Sequence, residues 1–355
     1  MSIDIEKEIK EIPHYPKAMM YGDADGWIRL ASNENPYPPS KAVLEAVLDN
    51  LFGISRYPGG EYELKESIAL KFGIKTEQVV LGDGSDEIIE MILKALRHKG
   101  KKGVIVTEPS FPFYGIASKV YGYNLKKVPL KNMKTDLKGI KDAIDSDTRI
   151  IFLNNPLNPT GTIFKENEFL DFIKEIPDHI LVAVDEAYGE FVEDRDFPQS
   201  LKFIEAYPVL ILKTFSKAYA LASLRIGYCI GEGSLISYLE RTRQPFSINS
   251  IALVAARAAL SDNDFLKNVL NNNKKEKAFF YREFDKLSLE YVPTEANFIL
   301  VKIGHDAEYI TKRLFEERIL VRWMGAYGMP DYIRVTMGKS EENRIFIEAL
   351  KKIIR

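Results

Sequence analysis

Short apolar runs alternate with amphipathic segments along the first two thirds of the chain. Seven of these runs have the length of β-strands: 78–82, 102–107, 124–130, 149–154, 180–185, 209–214 and 225–230. Several are apolar at every position, which is typical of strands that are covered on both faces. Segments between them, such as 86–96 and 166–176, have the spacing of amphipathic helices. The alternation predicts a doubly wound α/β domain with a mostly parallel sheet.

The pattern changes after about residue 245. A long helical region, about 250–287, is followed by a run of further strand candidates at 291–303, 319–322 and 332–337. A helical pattern separates some of them and another ends the chain, which predicts a smaller α+β domain. The first residues carry no strong pattern. We therefore expect three parts: an arm that joins the small domain (1–35), a large domain (36–245) and a small domain (246–355).

Composition and charge narrow the classes of function. The chain has 355 residues, 46% of them hydrophobic, and a formal net charge of −2 with acidic and basic residues interspersed. This excludes a net basic field for nucleic acid or an anionic membrane. The single cysteine, Cys229, excludes a disulfide framework, and the four histidines lack ligand spacing, so no metal site is expected. No apolar segment approaches the ~20 residues of a membrane span, and no secretory signal is visible, so we expect a cytoplasmic protein.

Ligands of a doubly wound sheet bind beyond the carboxyl ends of its strands, so the residues that follow each strand are the candidates for a site. After 78–82, a glycine-rich turn enters a helix at Gly84, Ser85 and Asp86. Free N–H groups at such a helix end favour an anion, such as phosphate. A capped helix after a tight turn explains the motif equally well. A dinucleotide-binding turn fits poorly, because the third glycine position is occupied by Glu87.

Aromatic and amide side chains follow the next two strands. The segment TEPSFPFYG places Phe111, Phe113 and Tyr114 in a proline-rich loop, where a ring could stack on a planar ligand. Core packing is the alternative for these rings. The segment NNPLNPTG includes Asn158, whose amide can donate to a ligand oxygen, although a plain Asn-Pro turn has the same composition.

Two further strand ends carry charged residues. Asp185 follows an all-apolar strand, so its carboxylate needs a cationic partner, which can be a protonated pyridine nitrogen, a metal or an arginine. The segment TFSKAYALASLRIG contains Thr214, Ser216, Lys217 and Arg225. Hydroxyls and a guanidinium suit phosphate oxygens, and a lysine amine brought near neutrality can form a Schiff base. Taken alone, a lysine at a strand end is usually a solvated side chain.

Together these strand ends have the chemistry of a pyridoxal 5'-phosphate site. Lys217 would bond to the aldehyde and Asp185 to the ring nitrogen. Asn158 and Tyr188 would bond to the phenolic oxygen.

From about residue 25 to its end, the chain resembles the fold type I, pyridoxal-phosphate aminotransferases, and most of all the histidinol-phosphate aminotransferase family. The motifs that carry the resemblance are LASNENPYPPS (30–40), RYPGGEYELK (56–65), GDGSDE (82–87), NNPLNPTG (154–161), VDEAYGEF (184–191), TFSKAYALASLRIG (214–227), RQPFSIN (243–249) and YIRVTMG (332–338). The chain departs from the family where Ala220 and Ser223 replace frequent glycines and where Trp323 follows Arg322.

The resemblance implies roles for the cofactor site. Lys217 would form the Schiff base and move a proton between Cα and C4′, and Asp185 would keep the ring nitrogen protonated. Phe111 would stack on the ring, and Asn158 and Tyr188 would bond to O3′. The segments that meet the phosphate contain Gly84, Ser85, Asp86, Thr214, Ser216 and Arg225.

The resemblance also implies a substrate and a partner. Arg334 would bind the anion of the substrate, assisted by Arg322 and by Asn33. Tyr57 would reach the cofactor of a neighbouring subunit, so the enzyme would be a homodimer. The implied reaction is the transamination of histidinol phosphate with 2-oxoglutarate, which gives imidazole-acetol phosphate and glutamate in histidine biosynthesis.

Other functions are compatible with parts of the sequence. An aromatic amino acid aminotransferase and a threonine-phosphate decarboxylase would share almost all of the motifs. A nucleotide-binding, dehydrogenase-like protein built on the turn at 82–87 would leave Lys217 unexplained. A non-catalytic regulator would not need the filled catalytic positions.

Overall fold

A computed structural model describes residues 7–12, 15, 26–98, 100 and 102–354. The strands in this part of the chain are β1 (Ile28–Arg29), β2 (Val79–Gly82), β3 (Gly103–Glu108), β4 (Asn124–Pro129), β5 (Thr148–Asn154), β6 (Leu181–Asp185), β7 (Val209–Thr214), β8 (Gly227–Ile230), β9 (Tyr291–Val292), β10 (Phe298–Lys302), β11 (Ile319–Leu320), β12 (Arg322–Trp323) and β13 (Tyr332–Thr336).

The α-helices in the same residues are α1 (Lys7–Lys10), α2 (Lys41–Asn50), α3 (Glu61–Phe72), α4 (Gly84–Ala95), α5 (Pro112–Val120), α6 (Leu137–Asp142), α7 (Glu166–Ile173), α8 (Gly233–Glu240), α9 (Ser250–Ser261), α10 (Asn263–Lys286), α11 (Ala307–Glu316) and α12 (Ser340–Ile353). Short 3-10 turns lie at Leu51–Gly53, Thr76–Gln78, Gly189–Phe191, Ser200–Phe203, Ala222–Leu224 and Gly325–Tyr327.

The large sheet contains the strands that the apolar runs predict. Its order among the described residues is β2-β8-β7-β6-β5-β3-β4. β8 is antiparallel to both of its neighbours, and the other pairs are parallel. β2, β6, β7 and β8 are buried at every position. The prediction of a doubly wound, mostly parallel sheet is therefore confirmed.

Alternate side chains of this sheet enter two separate apolar cores. On β6, Val182 and Val184 pack into a core on one face. Leu181 and Ala183 pack into the core on the other face, to which α4 contributes Ile88. Because both faces of the sheet are covered, polar ligands can reach the strands only at their ends.

A second, antiparallel sheet has the order β12-β13-β10-β9 among the described residues. Its own apolar core includes Phe284 of α10, Leu314 of α11 and Phe346 of α12. β1 pairs in parallel with β11, and the Thr336 N–H donates to the Leu30 carbonyl at 2.9 Å. Residues 26–30 are therefore attached to the elements of this second sheet.

The division into an arm, a large domain and a small domain stays a prediction. The helical region that the sequence places at 250–287 is divided into α9 and α10, because the Asp262 carboxylate accepts from the Phe265 N–H at 2.9 Å and caps a new helix. Residues after 245, including Ile248 and Ala252, belong to the apolar core that contains Ile230 of the large sheet. Val269 of α10 belongs to this core as well, whereas Phe280 and Phe284 of α10 belong to the core of the second sheet. We propose that the boundary between the domains lies within α10.

The described residues lack two features that would indicate other classes of protein. None of the helices in these ranges has the length and apolar character needed to cross a membrane. The same part of the chain holds no group of three or more His, Cys, Asp or Glu side chains arranged to bind a metal ion.

Candidate active site

A cleft of about 540 Å³ lies at the carboxyl ends of β5, β6 and β7 and extends to β12 and β13. Most of the candidate residues line it: Asn33, Ser85, Asp86, Phe111, Asn158, Asp185, Tyr188, Thr214, Ser216, Lys217, Arg225, Arg322 and Arg334. Side chains from distant segments of the chain therefore meet where the topology of the sheet predicts a ligand.

Lys217 lies just after β7 with its amine in the cleft. Nζ donates to the Ser32 carbonyl at 3.1 Å and lies 5.8 Å from the centre of the Tyr188 ring. Burial lowers the pKa of Lys217 to about 8, with a further contribution from the Arg334 guanidinium. A substantial fraction of this amine is therefore neutral near pH 8 and able to act as a nucleophile.

Asp185 is the last residue of β6, and its carboxylate is buried. Oδ1 accepts the Ala187 N–H at 3.0 Å, and Oδ2 accepts the Tyr114 hydroxyl at 2.5 Å. Burial raises the pKa of Asp185 to about 6 in spite of these two donors. A cation in the cleft would stabilise the carboxylate form.

Amide and phenol groups lie between Asp185 and the second sheet. Asn33 Nδ2 donates to the Tyr188 hydroxyl at 2.9 Å, and burial raises the pKa of Tyr188 to about 12, so the phenol keeps its proton. The Asn158 N–H donates to Asn154 Oδ1 at 2.7 Å, and Asn154 Nδ2 donates to the Asp185 carbonyl at 3.0 Å. The asparagine-rich loop is thereby fixed to the end of β6.

The opposite end of the cleft has the chemistry of a phosphate site. Arg225 Nη2 lies 3.1 Å from Asp86 Oδ2, and the Ser216 N–H donates to Thr214 Oγ1 at 3.1 Å. Gly84, which does not itself line the cleft, begins α4 with a φ of +71°. A Cβ atom there would lie 2.5 Å from Arg225 Nη2, so only glycine allows the guanidinium to approach the end of the helix. Hydroxyls, a helix N-terminus and a guanidinium converge here.

Phe111 lies at one wall of the cleft, directly before α5. The expectation of a loop through Phe113 and Tyr114 is wrong, because α5 begins at Pro112. Proline is favoured at the first helical position, since its missing N–H would have no partner there. The Phe111 ring meets the Tyr114 ring edge-on, with the centroids 5.4 Å apart.

Two arginines occupy the side of the cleft that the second sheet provides. Arg322 and Arg334 are directly opposite each other on β12 and β13, and such partners point to the same face of a sheet. Arg334 Nη1 donates to Asn158 Oδ1 at 2.5 Å and Nη2 to the Ala31 carbonyl at 2.9 Å. Both side chains are buried and both line the cleft.

Tyr57 does not line this cleft. Its side chain is 80% exposed, and its ring stacks on that of Phe246 with the centroids 4.5 Å apart. The residue is thus available to another molecule, which leaves its predicted role in a neighbouring site open.

Residues 25–350 match the family of class I and II aminotransferases. The chain belongs to this family. A histidinol-phosphate aminotransferase from Caldicellulosiruptor saccharolyticus is 41% identical over 329 residues, which are 92% of each chain. One from Geobacillus sp. is 37% identical, and the match covers 99% of each chain.

A solved structure agrees with this assignment. The histidinol-phosphate aminotransferase of Sinorhizobium meliloti, in complex with pyridoxal-5'-phosphate, has a TM-score of 0.87 at 28% identity, with 92% of this chain and 90% of that chain covered. The predicted family, fold and pyridoxal phosphate cofactor are therefore confirmed. The roles of single residues stay predictions.

The residues of this aminotransferase fit the cofactor. The cradle of Gly84, Thr214, Ser216 and Arg225 suits its phosphate, and Asp185 offers a carboxylate to the ring nitrogen. Tyr188, Asn158 and Asn154 supply further polar groups that line the cleft. When bound, pyridoxal phosphate supplies an aldehyde that takes up an amino group and a ring that delocalises the electron pair released at the substrate carbon.

Several cleft residues are not among the candidates from the sequence. Arg29 and Glu34, which form an ion pair of 2.8 Å, line the cleft, and so does Tyr327. Asn154 could have been found, because it ends a predicted strand in the NNPLNPTG motif. Glu34 lies within the LASNENPYPPS motif, but nothing in its spacing points to the cleft.

Ala220, where the family resemblance leads us to expect glycine, has a backbone conformation that is unusual for alanine. Ala220 has a φ of +59°, in the left-handed region where a Cβ atom costs roughly 1–2 kcal/mol. The turn after Lys217 therefore keeps the conformation that glycine favours although alanine occupies it.

Proposed function

We propose that this aminotransferase transfers the amino group of histidinol phosphate to 2-oxoglutarate, in the cytoplasm and as a step of histidine biosynthesis. The products are imidazole-acetol phosphate and glutamate. The names of the relatives at 37–41% identity support this substrate. The observation that carries the proposal is the pair of guanidiniums, Arg322 and Arg334, on one face of the second sheet.

Two guanidiniums side by side favour a doubly charged anion. A phosphate monoester carries close to two negative charges at neutral pH and has three oxygens for the fork-like donors of arginine. The carboxylate of a simple amino acid carries one charge and two oxygens, which a single arginine can satisfy.

The other cleft residues have defined tasks in this proposal. Lys217 Nζ would take the proton from the Cα of the donor and return it to the C4′ carbon. Asp185 holds the ring nitrogen in its protonated form, and Tyr188 donates to the phenolic oxygen. Phe111, which lines the cleft, would pack against the cofactor ring.

The substrate is tested by replacing each of the two arginines with lysine. Arg334→Lys and Arg322→Lys keep the charge but lose the bidentate geometry. We expect each change to lower kcat/KM for histidinol phosphate by about 10-fold to 100-fold, the range for a hydrogen bond to a charged group. The same variants should retain most of their kcat/KM for histidinol, the matched donor without phosphate.

Three outcomes would contradict the proposed substrate or reaction, each in a different way. Equal losses with both donors would mean that the arginines act on the protein structure rather than on phosphate. A preference of the unaltered enzyme for phenylalanine would make it an aromatic aminotransferase. Release of carbon dioxide from threonine phosphate would make it a decarboxylase.

We also infer that the enzyme works as a homodimer in which Tyr57 reaches the neighbouring site. The surface between residues 44 and 70 exposes several large apolar side chains, namely Leu44, Leu48, Leu51, Phe52, Ile54, Tyr57, Tyr62 and Leu70. A concentration of this kind is typical of a surface that another protein covers. A second copy of the chain would bury these side chains and bring Tyr57 to its cleft.

Mixed dimers test this arrangement. We expect Tyr57→Ala and Lys217→Ala to be poorly active alone. If Tyr57 acts on the neighbouring site, a dimer with one chain of each kind has one intact site. Co-refolding equal amounts should therefore restore about a quarter of the original activity, because half of the dimers are mixed and each has one of two sites. No recovery, with dimers confirmed by sedimentation, would mean that Tyr57 does not act across subunits.

A further inference from the structure

Tyr114 makes a close contact with Asp185 that the reaction scheme above does not use. Its hydroxyl donates to Asp185 Oδ2 at 2.5 Å, across 71 positions of sequence. The side chain is 1% exposed. Its ring stacks on that of Phe152, with the centroids 5.1 Å apart and an interplanar angle of 6°. This packing leaves the phenol one orientation, in which the hydroxyl points at the carboxylate.

The carboxylate of Asp185 has unfavourable surroundings. Burial raises its pKa most, and the nearby carboxylates of Asp86 on α4 and Glu186 on the same strand end raise it further. The donors that lower its pKa are the Tyr114 hydroxyl and the Ala187 N–H. Each of the two carboxylate oxygens therefore accepts one fixed donor, and each keeps a lone pair for a further partner.

We propose that Tyr114 is a positioning residue that keeps Asp185 ionised and aimed at the ring nitrogen of the cofactor. The proposal rests on the assigned role of Asp185. Two donors on two different oxygens fix the plane of the carboxylate, and an O–H group that donates to the charged form stabilises that form. A protonated carboxyl group could not hold a proton on the ring nitrogen, so the hydroxyl acts on the cofactor through Asp185.

The position of Tyr114 also connects two walls of the site. Tyr114 follows Phe111 by three residues, and the two rings meet edge-on at 5.4 Å. Phe111 lines the cleft, and Tyr114 lies behind it against β5 and β6. One turn at the start of α5 therefore carries both the ring that faces the cofactor plane and the donor that holds the partner of its nitrogen.

Tyr114→Phe tests the proposal, because it removes one oxygen atom and keeps the ring. In enzyme loaded with cofactor that is ¹⁵N-labelled at the ring nitrogen, the nitrogen should be protonated throughout the neutral range. In Tyr114→Phe the ¹⁵N signal should move toward the unprotonated position as the pH rises. The dissociation constant for pyridoxal phosphate should increase by about 10-fold to 100-fold, as for a hydrogen bond to a charged group.

Tyr123→Phe is the matched control. Tyr123 is also a buried tyrosine of the same apolar core, but its hydroxyl donates to the Leu93 carbonyl at 2.8 Å. The same loss of one oxygen there should leave the ¹⁵N signal and the cofactor affinity unchanged. A change of equal size in both variants would overturn the proposal, since it would report general loosening of the core.

Asp185→Asn distinguishes a failure of the assigned role of Asp185 from a failure of the proposed role of Tyr114. If Asp185 has its assigned role, this variant loses the protonated ring nitrogen, and adding Tyr114→Phe to it has no further effect. An unchanged ¹⁵N signal in Asp185→Asn would remove the assigned role and the proposal with it. A normal signal in Tyr114→Phe, with an altered one in Asp185→Asn, would overturn the proposal for Tyr114 alone.

Discussion

Replacing Lys217 with alanine is expected to reduce transamination by about 10⁴-fold, the upper range for a positioned proton-transfer group. The change removes the amine that we propose bonds to the aldehyde and moves the proton of the substrate. Steady-state turnover with histidinol phosphate and 2-oxoglutarate measures the loss. In the unaltered enzyme, borohydride reduction followed by peptide mapping should place the cofactor on the peptide that contains Lys217. Near-normal turnover of Lys217→Ala would contradict the assignment of the site.

Lys71 provides the control for this prediction. Burial lowers the pKa of Lys71 as well, but its amine lies 3.1 Å from the Tyr219 hydroxyl rather than in the cleft. Lys71→Ala should keep most of its turnover. This result would show that turnover requires an amine at the position of Lys217, and that a lowered pKa alone does not make a lysine essential. The rate at which cofactor-free enzyme takes up pyridoxal phosphate should rise as the pH passes about 8, because the neutral form of Lys217 is the nucleophile.

The sequence predicts the large sheet well because most positions of its buried parallel strands are apolar. The first polar residues after an apolar run therefore indicate the end of a strand. Asp185, at the end of β6, and Lys217, shortly after β7, were identified in this way. Elements without such a signal were missed. β1 has two residues, too few to show a period, and its pairing with β11, which lies inside the predicted strand 319–322, joins segments almost 300 positions apart.

Contacts between distant side chains could not be predicted for a physical reason. In the sequence, Tyr114 is one more aromatic residue beside Phe113, because a tyrosine packed by its ring and a tyrosine used for its hydroxyl have the same local pattern. The pairing of Arg322 with Arg334 depends on the register between β12 and β13, which a single sequence does not contain. The YIRVTMG motif supplied Arg334, and the end of a predicted strand supplied Arg322, but neither supplied their arrangement.

The contacts of Lys213 with distant side chains could not be predicted from the sequence either. Replacing this residue is expected to have the largest effect on stability. It is buried within β7, where its amine lies 3.1 Å from Glu190 Oε1 and 3.4 Å from Glu186 Oε2. Glu186 also accepts the Ser200 hydroxyl at 2.5 Å. We expect Lys213→Met to lower the free energy of unfolding by at least about 3 kcal/mol, because it leaves two carboxylates buried without a cation. Urea-induced unfolding of the purified enzyme measures this change.

Lys202→Met is the matched control, because Lys202 pairs with Glu166 at 3.1 Å on the surface. Its cost should be at most about 1 kcal/mol.

The loss in Lys213→Met should also depend on pH. Burial raises the pKa of Glu186, and removing its lysine raises that pKa further. A carboxyl group with a raised pKa in the folded state opposes folding only while it is ionised. The destabilisation should therefore be largest at high pH and shrink as the pH falls through that raised pKa. In the variant that also carries Glu186→Gln and Glu190→Gln, no uncompensated charge remains, so most of the stability should return. If the loss in the free energy of unfolding does not depend on pH and persists in this triple variant, Lys213 contributes to stability by packing rather than by charge.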